Sequence, residues 1–327
     1  MFRWGVLSAA KIARTQLLPA IAASENGRAA AIASRRIDAA QALARQFSIP
    51  TVYPSYDALL ASDAADGVYI AVATADHMEW AEKALAAGKH VLCEKPVAIE
   101  AREIDRLIAL RDASGLVASE AFMVAYHPQW RKVRALIADG AIGPLRRVEG
   151  AFAFYNADPQ NTRNQLAAGG GALRDIGVYP VVTTRLATAA EPRRVRADVR
   201  RDDTFGVDVD ARVAAEFDGF DLVFYCSTRM ALRQSMVFHG ESGLIEVAAP
   251  FNALDYGDAA VTLWTDNRST CQTFRFPGAR QYQLQVEAFA RAAQEGETAD
   301  LFPLESSRAN QAVIDAAFRS GGAWVEA

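Results

Sequence analysis

Short apolar runs and amphipathic stretches alternate over the first 120 residues of the chain. The runs at 2–8, 28–34, 51–53, 67–73, 90–93 and 116–119 have the length and composition of buried strands. Between them, apolar residues recur at helical spacing at about 11–23, 38–47, 55–61, 76–87 and 100–113. Asp38 with Gln41 three residues on fits a capping box, and Gly88 and Gly115 suit helix exits. Strand and helix alternating in this way predict an α/β fold with a doubly wound parallel sheet.

The pattern changes after residue 120. Helical stretches at 127–138 and 175–188 flank an extended run at 145–155. Period-two strands follow at 193–200, 207–217, 220–228, 233–240, 243–248, 259–265 and 271–276, with Asp218-Gly219 and Glu241-Ser242-Gly243 as hairpin turns. Helices near 281–294 and 305–320 close the chain. The division expected is residues 1–120 as a dinucleotide-binding Rossmann domain and 121–327 as an α+β domain for substrate binding and oligomerisation. A large, mostly antiparallel sheet backed by helices on one face leaves its other face to be covered. A homodimer or homotetramer formed through that sheet is therefore expected.

Composition narrows the class of partner. At 327 residues, 51% apolar and 23% charged, the chain has the make-up of an ordinary globular protein with a large core. A net charge of −4 without any basic block argues against a nucleic-acid surface. Cys93, Cys226 and Cys271 show no metal-ligand spacing and cannot all pair, which suits reduced thiols in the cytoplasm. His77, His90, His127 and His239 have no short ligand spacing either, and no P-loop is present, so zinc and phosphotransfer chemistry are not expected. Met1 runs straight into a strand, and no apolar run reaches membrane-spanning length.

Three segments carry candidate chemistry. The first is the turn after strand 2–8, where a dinucleotide fold holds its pyrophosphate. Ser8, Ala10 and Ala13 stand at the positions where glycines are usual, in the run Ser8-Ala9-Ala10-Lys11-Ile12. Small side chains still let backbone approach phosphate, Ser8 can donate a hydrogen bond, and the helix start offers free amides. An alanine-rich helix start with no ligand is the plainer alternative. The second segment ends strand 28–34 in Ser34-Arg35-Arg36, with no acid there to bind a ribose 2′-hydroxyl. Arginine at that place accommodates a 2′-phosphate, so NADP is favoured over NAD; two solvated strand-end arginines are the alternative.

The third segment is His90-Val91-Leu92-Cys93-Glu94-Lys95-Pro96, which places Lys95 at the carboxyl end of a central parallel strand, where α/β proteins bind ligands. A solvated strand-end lysine is the ordinary reading. Further on, Gly169-Gly170-Gly171 permits close backbone approach to a ligand or another element, and Asp175 and Tyr179 lie one helical turn apart. Pro180 is tolerated in a first helical turn, which puts the helix start near Ile176 or Gly177 and makes Asp175 its N-cap. A phenol is a poor base at neutral pH unless a cation stabilises its anion. An ammonium at about 4 Å in an effective dielectric near 20 supplies roughly 4 kcal/mol before desolvation offsets it. Lys95 beside Tyr179 is thus a chemically adequate acid/base pair for hydride transfer.

These residues resemble the glucose-fructose oxidoreductase, inositol dehydrogenase and MocA-like (Gfo/Idh/MocA) family of NAD(P)-dependent oxidoreductases. The resemblance runs along the whole chain. It is carried by Arg3-Trp4-Gly5-Val6-Leu7-Ser8, Gly88 to Pro96, Glu120-Ala121-Phe122-Met123 with His127-Pro128-Gln129, Asp175 to Tyr179, and Ser307-Arg308-Ala309-Asn310. It implies that Glu94 and Lys95 line the nicotinamide-ribose end, that Tyr179 is the acid/base with Lys95 at the reacting hydroxyl, and that Asp175 positions the substrate or Lys95. Tyrosine at that position is typical of the branch holding aldose 1-dehydrogenases and dimeric dihydrodiol dehydrogenase. His77 matches a family histidine, with a surface histidine at a helix start as its alternative. Two departures stand out: the loop lacks its fingerprint glycines, and Ala73-Thr74-Ala75-Asp76-His77 lacks the usual Pro-Asn around Thr74, a nicotinamide-ribose contact in relatives.

The function expected is an NADP-dependent dehydrogenase of a cyclic sugar, aldose to lactone, or of a related polyol or keto sugar. A non-catalytic nucleotide sensor on the same fold is the alternative. Residues facing Lys95 from the second domain, among them Phe154, Tyr155, Asn156 and Arg163, are candidates for setting the substrate.

Overall fold

The structure, a computed structural model, covers residues 1–327 and separates into two compact units: Met1–Tyr126 with Arg280–Arg308, and His127–Ala279 with Ala309–Ala327. In the first, β1 (Phe2–Leu7), β2 (Gly27–Ala33), β3 (Thr51–Tyr53), β4 (Gly67–Ile70), β5 (His90–Cys93) and β6 (Ala118–Glu120) form a parallel sheet in the order β3-β2-β1-β4-β5-β6. A π-helical turn, Ala13–Leu17, continues into α1 (Leu18–Ala23); α2 (Ile37–Phe47), α3 (Tyr56–Leu60), α4 (His77–Ala86) and α5 (Ala101–Ser114) complete the crossovers. Side chains alternate across a strand, so one sheet fills two cores. Phe2, Trp4, Val6, Tyr69 and Leu92 pack with Leu17, Ile21 and Leu43 on one face. Leu7, Val68, Ile70, Val91 and Cys93 pack with Leu59, Met78, Leu85 and Leu107 on the other. Burial on both faces explains why these strands read as unbroken apolar runs. The strand order reverses between β1 and β4, and in such sheets ligands bind at the carboxyl ends beside that point.

The second unit contains α6 (Pro128–Ala138), β7 (Leu145–Tyr155), a second π-helical turn at Leu173–Gly177 leading into α7 (Val178–Thr188), and a run of strands. These are β8 (Arg194–Arg201), β9 (Asp208–Glu216), β10 (Asp221–Ser227), β11 (Arg229–Gly240), β12 (Gly243–Val247), β13 (Ala260–Thr265), β14 (Thr270–Arg275) and β15 (Val325–Glu326). They form a nine-stranded sheet in the order β14-β13-β12-β11-β7-β10-β9-β8-β15, antiparallel except where β10 runs beside β7. Hairpins turn at Asp218-Gly219 and Glu241-Ser242, as the sequence predicts. The fold class is thus the expected one, an α/β Rossmann sheet plus an α+β unit. α8 (Gln281–Glu295) lies in the first unit, while α9 (Leu304–Ser320) begins in the first and ends in the second.

Four details differ from the sequence reading. A single division at residue 120 does not describe the units, because 280–308 returns to the first. Phe289 of α8 packs on Trp4 at 5.2 Å, and Asn26 Nδ2 donates to the Glu287 carbonyl at 2.8 Å. Asp38 is not a cap: Arg36 occupies the N-cap of α2 and Asp38 sits in its first turn, where its charge suits the helix dipole. The capping box lies instead at Glu100 and Glu103 of α5. Asp175 is not an N-cap either, because the π-turn carries the helix back past it. Both π-turns precede a proline, Pro19 or Pro180, whose partner residues four positions back are Thr15 and Ile176 within those turns. Proline lacks an N–H and its ring crowds the carbonyl four residues earlier, and a wider turn relieves both conflicts.

Candidate active site

At the carboxyl end of β5 the chain makes the turn Glu94-Lys95-Pro96-Val97, whose Lys95–Pro96 peptide is cis. Glu94 N–H still donates to the Ile70 carbonyl at 2.9 Å, extending the ladder one residue past the strand. Beyond it, three side chains hold the backbone and a fourth fixes one of them. Glu94 Oε2 accepts from Lys95 N–H at 3.2 Å, and Glu94 Oε1 accepts from the Tyr69 hydroxyl. His77 Nδ1 lies 2.8 Å from the Pro96 carbonyl, and Glu120 Oε1 accepts from Val97 N–H at 2.8 Å. Lys95 itself is half-buried.

Burial sets the electrostatics here. It pushes the Glu120 carboxyl up to about 7, assisted by the charge of Glu94, while the neighbouring Ser307 hydroxyl, the hydrogen bond from Val97 N–H and the nearby Lys95 ammonium pull the other way. Burial, then Glu94, holds the Tyr69 phenol well above its ordinary value, which keeps it a donor. Burial also lowers His77, so its imidazole is neutral and donates one N–H to the nearer carbonyl. His77 is 1% exposed, with its other nitrogen 3.3 Å from the Val72 carbonyl, and is not the surface histidine of the alternative reading. It acts on the turn from below.

The turn after β1 has a glycine-like backbone without a glycine. Ser8 has φ 101°, a conformation L side chains rarely adopt, and its N–H donates to the Ala33 carbonyl at 2.8 Å. Ala9, Ala10 and Ile12 are half-buried and Lys11 is exposed at the helix start. At the end of β2, Ser34 is buried and its Oγ accepts from Arg36 N–H at 3.2 Å. Arg35 and Arg36 are exposed. The Arg35 guanidinium, 73% exposed, lies 4.0 Å from Asp76, in the short helical turn that starts with Thr74. A pair this exposed and this long leaves the guanidinium available. Backbone amides, small side chains, an arginine and the absence of an acid at β2 together fit a dinucleotide carrying a 2′-phosphate.

In the second unit, Tyr179 is 4% exposed, and its ring packs on Phe152 and Phe251 at 5.4 Å each. Asp175 accepts from Arg163 Nε at 2.5 Å, and the Arg163 guanidinium covers the Phe154 ring at 5.6 Å. The glycines serve another element of the protein: a Cβ on Gly170 would meet the Arg163 carbonyl at 2.5 Å, and one on Gly171 the Asp208 carboxylate at 2.0 Å. Asp208 Oδ2 accepts from Leu173 N–H at 2.6 Å and so caps the helix carrying Asp175 and Tyr179. The Asn156 side chain accepts from Asn164 Nδ2 and Asp158 N–H, which ties it into its own loop, whereas Tyr155 is 70% exposed at the strand end.

The sequence reading passed over Tyr69 and Glu120. Tyr69 reads as one more apolar strand residue. Glu120 enters the sequence reading only as part of the run Glu120-Ala121-Phe122-Met123 that carries the resemblance, with no role of its own, although it ends β6 in register with Cys93, two residues before Lys95.

A six-stranded parallel sheet with a phosphate-type turn at β1 and a fixed lysine beyond β5, joined to a unit built on a mixed sheet, defines a class of nicotinamide-dependent oxidoreductases. The chain belongs to the Gfo/Idh/MocA family: residues 2–122 match the oxidoreductase family with an NAD-binding Rossmann fold, and residues 130–246 match the family's C-terminal domain. It is 34% identical to a D-xylose 1-dehydrogenase (NADP(+)) of Haloferax volcanii, over 99% of both chains. It is 33% identical to a dTDP-3,4-didehydro-2,6-dideoxy-alpha-D-glucose 3-reductase of Actinomadura kijaniata, over 98% of this chain and 95% of that one. The crystal structure of a 3-ketoreductase from Actinomadura kijaniata with NADP and TDP-benzene superposes with a TM-score of 0.90 at 31% identity, covering 98% of each chain.

Strain at Ser8 has a measurable consequence. A non-glycine residue in such a conformation costs about 1–3 kcal/mol, and glycine's extra unfolded-state entropy costs about 0.5–1 kcal/mol. The S8G variant is therefore expected to be more stable than the parent by about 1 kcal/mol in denaturant unfolding. A variant of lower stability would show that the serine side chain offsets its backbone strain.

Proposed function

We propose that this protein is an NADP-dependent oxidoreductase that moves a hydride between the cofactor and a ring carbon of a free or activated sugar, oxidising an aldose to its lactone or reducing a keto sugar. The observation that carries this reading is the immobilised turn around Lys95. A sensor that only binds nucleotide has no use for a lysine whose own N–H is held by Glu94, itself fixed by Tyr69, and whose next two residues are held by His77 and Glu120. Relatives named for xylose and for a dTDP-keto sugar support the substrate class.

When bound, NADP supplies the hydride acceptor, or the donor in reverse. The Ser8 hydroxyl and amides of the turn Ala9 to Ile12 would receive the pyrophosphate, Arg35 with Ser34 and Arg36 the 2′-phosphate, and Thr74, Glu94 and Lys95 the nicotinamide-ribose end. His77 contributes by fixing the Pro96 carbonyl. Tyr179 Oη takes the hydroxyl proton in oxidation and returns it to the carbonyl oxygen in reduction. Its phenolate needs a cation, and the Lys95 ammonium is the group assigned to that task. Asp175, held by Arg163, orients the sugar. Its aromatic neighbours keep Tyr179 in a single orientation.

The test is a spectrophotometric screen of aldoses with NADP and keto sugars with NADPH, followed by variants on whichever substrate turns over. Tyr179→Phe and Lys95→Ala should each lower kcat by at least about a hundredfold, general acid–base catalysis being worth 10²–10⁴, while NADPH binding to Tyr179→Phe stays within about threefold. Tight binding of NADPH without turnover of any sugar would favour the sensor instead. Arg35→Ala should weaken NADP by about tenfold or more and leave NAD unchanged, since a hydrogen bond to a charged group is worth about 1.5–3 kcal/mol. Equal losses for both cofactors would remove Arg35 from the 2′-phosphate.

Subunit association through the nine-stranded sheet belongs to the same reading. Leu222 and Cys226 of β10 point into the core, whereas Val223 and Tyr225 line a groove of about 780 Å³ with Val237 of β11 and the exposed Met230. Leu232 is 60% exposed on the same strand. Sedimentation velocity should give a dimer or tetramer of the 35.4 kDa chain that the double variant Met230→Glu/Leu232→Glu dissociates. A parent sedimenting as a monomer would sink this assignment.

A further inference from the structure

We infer that Glu120 is a positioning residue for Lys95 and that its ionisation sets the acid limit of turnover. The inference rests on the proposed role of Lys95. It is carried by geometry within the first unit. Glu120 ends β6, paired in register with Cys93 at the end of β5, and Ala121 N–H donates to the Cys93 carbonyl at 2.7 Å. The side chain is 2% exposed and turns back across the sheet end to take Val97 N–H at 2.8 Å, two residues beyond Lys95. Its other oxygen, Oε2, is buried without a full hydrogen bond, and beside it stands the Ser307 hydroxyl of α9, likewise unsatisfied. A buried carboxyl is rarely left half satisfied, because desolvation costs it several kcal/mol. What it gains here is the attraction of the Lys95 ammonium.

The groups around Glu120 determine the sign. From β5 and its turn come the Cys93 thiol, the Glu94 carboxylate and the Lys95 ammonium; from α9 comes the Ser307 hydroxyl. His77 faces Lys95 from α4 and is neutral through burial. Near pH 7 Glu120 sits at its own midpoint, pushed there by burial and Glu94. Above that pH its carboxylate holds the ammonium in place. Below it the carboxyl is neutral, the ammonium loses this counter-charge, and Val97 N–H loses a charge-assisted acceptor.

The experiment uses keto-sugar reduction, because there Tyr179 must be protonated and cannot itself cause a loss of rate in acid. Wild-type kcat should fall below about pH 7, and in Glu120→Gln that acid limb should vanish, with kcat at pH 8 lowered about tenfold. NADPH affinity should not change. Ser307→Ala, which deprives the carboxylate of a donor, should move the limb to higher pH. A second readout needs no turnover: the rate at which an amine-directed acylating reagent modifies Lys95, followed by peptide mass spectrometry at fixed pH. Glu120→Gln should be modified at least about threefold faster than the parent, and Glu120→Asp, which keeps the charge, should fall between them. An acid limb unchanged in Glu120→Gln, or equal labelling rates in all variants, overturns the inference. If wild type turns over no sugar, the proposed function fails, and the labelling rates still decide whether Glu120 holds Lys95. Should Glu120→Gln not fold, Ser307→Ala and Glu120→Asp carry both readouts.

Discussion

Backbone groups beyond the last rung of a parallel sheet have no strand to bond with, and the turn after β5 has to find partners elsewhere. The protein supplies them from side chains on neighbouring strand ends. Glu120 arrives from the end of β6, in register with β5, and His77 from the start of α4, while Tyr69 of β4 holds the Glu94 carboxylate that takes Lys95 N–H. This requirement fixes more than a loop. It brings two carboxyls, a phenol and an imidazole together around the turn that carries Lys95. The chemistry of the site and the satisfaction of the sheet end are the same set of hydrogen bonds.

A similar economy operates in the second unit. The turn Gly169 to Gly171 lets the chain approach the Asp208 carboxylate, which then caps the helix bearing Asp175 and Tyr179. The π-turn at Leu173–Gly177 absorbs Pro180 and keeps the helix continuous. Asp175, which the sequence suggests as a cap, is thereby released from that duty and pairs with Arg163 instead.

Most of the fold was legible because it depends on patterns of two and of 3.6 residues, and these survive in almost every element. β7 coincides with the extended run 145–155, and the seven strands that follow it fall within a few residues of their predicted places. What failed depends on local competition. Asp38 is a good capping residue in the wrong register, because Arg36, in an extended conformation, takes the N-cap position two residues earlier. The boundary at 120 marks a real change of pattern, yet no periodicity could reveal that Phe289 would return to pack on Trp4. For the site, Lys95 stood out through its Glu-Lys-Pro setting, and the Ser8 turn through its place between strand and helix. Glu120 and Tyr69 did not, since a residue's partner across a parallel sheet lies some 25 positions away and leaves no local mark.

The arrangement of charge about Lys95 also explains why two acids are used. Both Glu94 and Glu120 lie close to the turn that carries one ammonium, and two carboxylates of equal environment would titrate alike. The fold separates them by burying one acid and leaving the other half-exposed. Glu94 uses both oxygens as acceptors, from Tyr69 and from Lys95 N–H, while Glu120 is placed where burial brings its midpoint to about 7. Of the two acids, it is Glu120 whose burial brings its titration to neutrality. On the inferred role of Glu120, the place of Lys95 is then set by a residue that never has to touch a substrate.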